Sequence, residues 1–158
     1  MKNLLIVSLL ILLFNSNIYG QKVKPVPIIV RKAFEQKFPK IKKIIWDNSK
    51  VKVWEAEFRM NGSEYSVLFN VNGTWIKTEH EIGKNEIPTA IKSTLLKEFG
   101  GYKVIEAQIS ETANSKVYKI ELNKEGQKVM ANFDIHGKVL KKESVSGIYK
   151  VDETDGIE

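Results

Sequence analysis

Apolar positions along the chain change period from four to two, and the whole change then happens again. Val26, Val30, Phe34 and Phe38 recur at every fourth residue with Ala33 beside them, while Arg31, Lys32, Glu35 and Lys37 take the other side. This spacing predicts an amphipathic helix, with Pro27 in its first turn and Pro39 as its stop. A strand is expected near Lys42 to Asp47. From Lys52 to Met60 the period is two: Trp54, Ala56, Phe58 and Met60 face one way, and Val53, Glu55, Glu57 and Arg59 the other. That is the signature of a strand with one buried face. Asn61-Gly62 supplies a tight hairpin turn, Tyr65, Val67, Phe69 and Val71 alternate inward, Asn72-Gly73 makes a second turn, and Trp75 to His80 closes the meander.

Pro88, Ile91, Leu95 and Phe99 then repeat Pro27, Val30, Phe34 and Phe38 at an offset of 88 − 27 = 61. Val129 to Gly137 repeats Tyr65 to Gly73 at an offset of 137 − 73 = 64. Gly100-Gly101 stops the second helix, a strand follows over Tyr102 to Ser110, and Tyr118, Ile120 and Leu122, then Val129, Ala131, Phe133 and Ile135, form the inward sets. Glu125-Gly126 and His136-Gly137 mark the turns. The predicted fold class is therefore α+β, with two tandem repeats, each of one helix packed on a four-stranded antiparallel sheet. The first repeat takes residues 21–83 and the second 84–146, with an acidic tail over 147–158.

One helix covers one face of a sheet, so each repeat keeps an open face. Straight alternation places Val53, Glu55, Glu57, Arg59, Leu68 and Trp75 there, with Lys119, Glu121, Met130, Asn132 and Val139 from the second repeat. Trp and Met among charges are the composition of a protein-binding patch. Trp75 is the expected anchor, Leu68, Met130 and Val139 the surrounding contacts, and Arg59 and Glu55 the orienting charges. The competing reading puts Trp75 under a loop or at the joint between repeats.

Met1, Lys2 and Asn3 precede a run from Leu4 to Phe14 that is apolar apart from Ser8. It has the length of a secretory core and is too short to span a bilayer. Residues 1–20 are thus expected to be a cleaved signal peptide, and the mature chain a periplasmic or secreted protein. No cysteine is present for lipid attachment or a disulfide, and no integral membrane segment is expected after cleavage. The net charge of +6 is uneven: Lys22 to Lys52 carries ten bases against Glu35 and Asp47. That segment could grip an anionic glycan or lipid or cover the wet side of a helix, while export argues against nucleic acid.

Catalytic chemistry is poorly represented. His80 lies between Glu79 and Glu81, but neighbours in a strand point to opposite faces and do not converge on one ion. His136 occupies a turn position that Asn72 holds in the first repeat, and Glu57 and Glu121 match across the repeat as wet-face residues. No zinc-protease stretch, nucleophile elbow, Walker loop or dinucleotide fingerprint occurs. No enzyme activity, cofactor or metal is expected.

The order Pro-x-x-Val-x-x-x-Phe-x-x-x-Phe-Pro over Pro27 to Pro39, Trp46, Trp54-Glu-Ala-Glu-Phe58, Phe69-Asn-Val-Asn-Gly73 and then Ile87-Pro88 resembles the β-lactamase-inhibitor-like, PepSY-like family of secreted bacterial proteins. The resemblance covers Val26 to Glu143. It implies helix-plus-four-strand units whose sheets form a concave binding face, and a role in restraining secreted peptidases or β-lactamases. The chain departs from the pattern at Gly100-Gly101, at Ala107 near the place of Trp46, and in lacking the cysteines of the best-known inhibitor of this shape. No inhibitory residue carries over. The expected function is a non-catalytic exported module that binds a secreted or periplasmic protein, with envelope binding of an anionic glycan or lipid as the alternative.

Overall fold

The computed structural model describes residues 25–48 and 50–145; the expected signal peptide and acidic tail lie outside the described residues. The elements are α1 (Ile28–Lys37), β1 (Ile45–Asp47), β2 (Val53–Met60), β3 (Ser63–Asn70), β4 (Trp75–Glu81), a 3-10 turn (Lys84–Glu86), α2 (Thr89–Glu98), β5 (Lys103–Glu111), β6 (Lys116–Lys124), β7 (Gln127–Phe133) and β8 (Val139–Ser144). Pro27 and Pro88 stand one position earlier than a first-turn proline. Both have extended ψ and act as N-caps, and their carbonyls accept the Arg31 and Lys92 amides at 3.1 and 3.0 Å.

All eight strands form one antiparallel sheet in chain order. The joint is β4 against β5, paired from Thr78 with Glu111 to Glu81 with Gln108. Tyr65, His80, Ile109, Tyr118 and Phe133 are linked partner by partner across five strands, so they share a face. Both helices pack on that face. Val30 and Phe34 of α1 sit against Trp54, Ala56, Phe58, Val67 and Phe69, and Ile91 of α2 against Ile120, Leu122, Ala131 and Phe133. Phe34 and Phe133 are essentially fully buried, and each contributes about 2–3 kcal/mol of apolar burial. The opposite sheet face has neither helix on it.

Three bulges decide what that opposite face displays, one of them at Ile105, between Val104 and Glu106. The register slips between Leu68 and Phe69, so that Leu68 pairs with Lys77 but Phe69 with Trp75, leaving Ile76 as the extra residue. It slips again between Asn132 and Phe133, where Asn132 pairs with Lys141 and Phe133 with Val139, leaving Leu140 as the extra residue. One extra residue inverts the side-chain phase of the strand. Trp75 and Val139, expected on the open face, therefore lie on the helix face, packed against the two cores. Val71 and Ile135, expected to point inward, fall in turns and are exposed.

The turns hold the helices in place. Gly73 and Gly137 have φ of 84° and 85°, and a Cβ added to them would meet the carbonyl oxygens of Ile29 at 2.9 Å and Ala90 at 2.6 Å. Thr94 Oγ1 donates to the Gly137 carbonyl at 2.8 Å. Each turn thus lies directly on the backbone of a helix, where a side chain does not fit.

Candidate functional site: the uncovered sheet face

Strand alternation on β2 and β3 sets Asp47, Glu55, Leu68 and Lys77 in one cross-strand row of the uncovered face. Leu68 is only 9% exposed there, flanked by the two longer charged chains. Glu55 is 8% exposed. Its Oε1 accepts from Ser66 Oγ at 2.5 Å, and its Oε2 from Lys50 Nζ at 3.3 Å, which compensates an ionised group taken out of water. Burial, and then the charges of Glu55 and Asp47, push the neighbouring Glu57 carboxyl up. Arg59 is mostly exposed, 3.8 Å from Glu64, and donates to the Gly62 carbonyl.

At the joint, Glu79 accepts Lys77 Nζ at 2.8 Å and Lys119 Nζ from β6. Burial alone would raise this carboxyl, but hydrogen bonds and charge from the two lysines outweigh it and hold the group at about 2. In the second half the row runs Glu106, Glu121, Met130, Glu143. Glu121 is 5% exposed, with the Lys128 ammonium 2.9 Å from Oε1. Gln108 Nε2 donates to Glu106 at 2.7 Å. Burial pushes the Glu106 carboxyl up, and the Glu81 and Glu121 charges add to it.

Four of the six residues singled out from the sequence, Glu55, Arg59, Leu68 and Met130, lie on this face. Trp75 and Val139 do not. The Trp75 Nε1 donates to Thr78 Oγ1 at 3.0 Å, and the Lys37 ammonium of α1 stands 3.7 Å over its ring. Sequence reasoning missed Lys77, Glu79 and Glu106; the two-residue spacing of Lys77 and Glu79 was the available signal. Of the basic segment, Arg31 and Lys32 are exposed on α1, whereas Lys50 pairs with Glu55 on the uncovered face.

Glu57 and Glu121 are four strand spacings apart, roughly 19 Å along the sheet, whereas paired catalytic carboxyls stand about 5–9.5 Å apart. His80 stacks on Tyr65 on the helix face, with ring centroids 4.6 Å apart, while Glu79 points the other way. Among the described residues no group of three metal-ligating side chains converges, and no helix is long and apolar enough to cross a membrane.

Solved structures share this architecture. A DUF2874 family protein from Bacteroides ovatus superposes with a TM-score of 0.71 at 21% identity, covering 80% of this chain and 93% of that one. A BLIP-like protein from Bacteroides fragilis gives 0.69 at 24%, covering 84% and 93%. A Bacteroides eggerthii protein described as a predicted periplasmic protein gives 0.71 at 22%, covering 80% and 94%. No curated protein matches. The family model described as beta-lactamase-inhibitor-like, PepSY-like matches residues 52–141, more than half of the chain. By this match the chain belongs to the beta-lactamase-inhibitor-like, PepSY-like family.

Proposed function

We propose that the chain is a non-catalytic, exported binding module, built as a tandem repeat, that holds a secreted or periplasmic protein on its uncovered sheet face and restrains a hydrolase. One observation carries this reading: among the described residues, eight strands present a face without a helix on it, with Leu68 and Met130 set among fixed charges. Apolar anchors inside a charged rim are what a protein partner uses. The helix, four strands, helix, four strands order and the matched bulges support the repeat, and the Leu4 to Phe14 run supports export. The family's description as beta-lactamase-inhibitor-like supports restraint of a hydrolase.

The test is capture from an envelope extract with the immobilised chain, identification of what co-purifies, and assay of that protein's activity with and without the chain. A bound hydrolase that loses activity stoichiometrically supports the reading. A partner bound through the exposed bases of α1 and released by Lys32→Glu would instead favour the envelope-ligand alternative.

A further inference from the structure

The sheet ends on two unlike edges. At one end β1 has three residues, a length that offers little to a further strand. At the other end β8 has six, and among the described residues no strand lies beyond it. The Val145 amide donates to the Lys128 carbonyl at 2.9 Å, and bonded residues alternate along an antiparallel pair. Glu143 and Lys141 therefore bond to Met130 and Asn132 of β7, while the amides and carbonyls of Lys142 and Ser144 point away from the sheet.

Lysines commonly guard such an edge, but both lysines of β8 are turned back onto their own chain. The Lys142 ammonium stands 5.0 Å over the Phe99 ring, and Lys141 Nζ lies 2.6 Å from Glu143 Oε1. Leu140 and Val145, 49% and 39% exposed, leave apolar surface at either end of the stretch. Its charges are also self-complementary. A second β8, antiparallel and centred on Lys142, sets Lys141 of each copy opposite Glu143 of the other and lets the two Lys142 residues exchange both of their backbone bonds. Centring on Lys141 or Glu143 would oppose like charges, so the charges select one register.

We propose that two copies of the chain pair through β8 about a two-fold axis at Lys142, joining their sheets edge to edge. Opposed residues share a face, and Lys141 and Glu143 belong to the uncovered one. Both uncovered faces then lie on the same side of the dimer, open to a partner. The two Lys142 side chains meet near the axis on the helix side, each held over its own Phe99 ring.

Sedimentation velocity over a concentration series, with circular dichroism to show each variant folded, tests this pairing. The chain should sediment as a dimer that dissociates on dilution. Lys141→Glu and Glu143→Lys should each weaken the dimer by roughly tenfold, because each sets like charges opposite one another twice, and the exchange of the two, Lys141→Glu/Glu143→Lys, should restore it. Lys142→Pro, which removes an outward N–H of an edge strand, should abolish the dimer. Lys84→Glu, an equal change of charge in the 3-10 turn beside the β4–β5 joint, should not alter it. A monomer at every concentration, a dimer indifferent to both single charge changes, or an exchange that fails to restore pairing overturns the proposal. So does a chain that dimerises only after truncation at Ser146, since its own tail then covers the edge.

Discussion

Lys119 of β6 reaches past β5 to the Glu79 carboxylate of β4, so one ion pair, shared with Lys77, ties the two halves of the sheet together on the uncovered face. Glu79 is held at about 2 against a usual 4.5, and its lowered value makes it a stabilising group in the folded state. That stabilisation is present above about pH 4.5 and is lost as pH falls through about 2. The shift of 4.5 − 2 corresponds to at most about 3 kcal/mol. Urea unfolding at pH 7 and pH 2.5 should show Glu79→Gln less stable than the native chain at the higher pH, with the difference reduced to about a quarter at the lower. Equal stability at both would show that the ion pair contributes nothing.

Trp75 behaves as a core residue in this fold. Trp75→Ala should cost about 2–4 kcal/mol, because it removes apolar packing, the Thr78 hydrogen bond and the Lys37 contact. Partner affinity per mole of folded protein should stay unchanged. Denaturant titration and a binding isotherm on the same variant separate the two effects.

Much of this was legible in the sequence. The fourfold spacing from Val30 to Phe38 gave α1, the Asn61-Gly62 and Glu125-Gly126 turns appear with positive φ at both positions, and alternation placed Glu55, Leu68 and Met130 correctly. The bulges were not legible. Ile76 and Leu140 carry no mark distinguishing an extra residue from a regular one, and because both halves bulge at matched positions, 140 − 76 = 64, comparing them conceals the slip. Nor did the sequence show that the sheet is continuous, since β4 and β5 pair over only four residue pairs, with hydrophilic residues in most of them.

The two kinds of glycine turn should respond differently to one methyl group. Gly126→Ala meets open space and pays only for its positive φ, about 1–2 kcal/mol. Gly137→Ala adds a collision with the Ala90 carbonyl and should lose more than that, with α2 displaced. Thermal unfolding of both variants ranks them; equal losses would mean that the turn does not seat the helix.

The central claim is that the uncovered face, and not the helix face, binds the partner. Isothermal titration of the captured partner with Leu68→Ala/Met130→Ala and with Leu96→Glu, an exposed position on α2, tests it directly, after circular dichroism has shown both variants folded. The account predicts that the double variant loses at least about tenfold in affinity and that Leu96→Glu binds like the native chain. Full affinity in the double variant, or loss confined to Leu96→Glu, would contradict it.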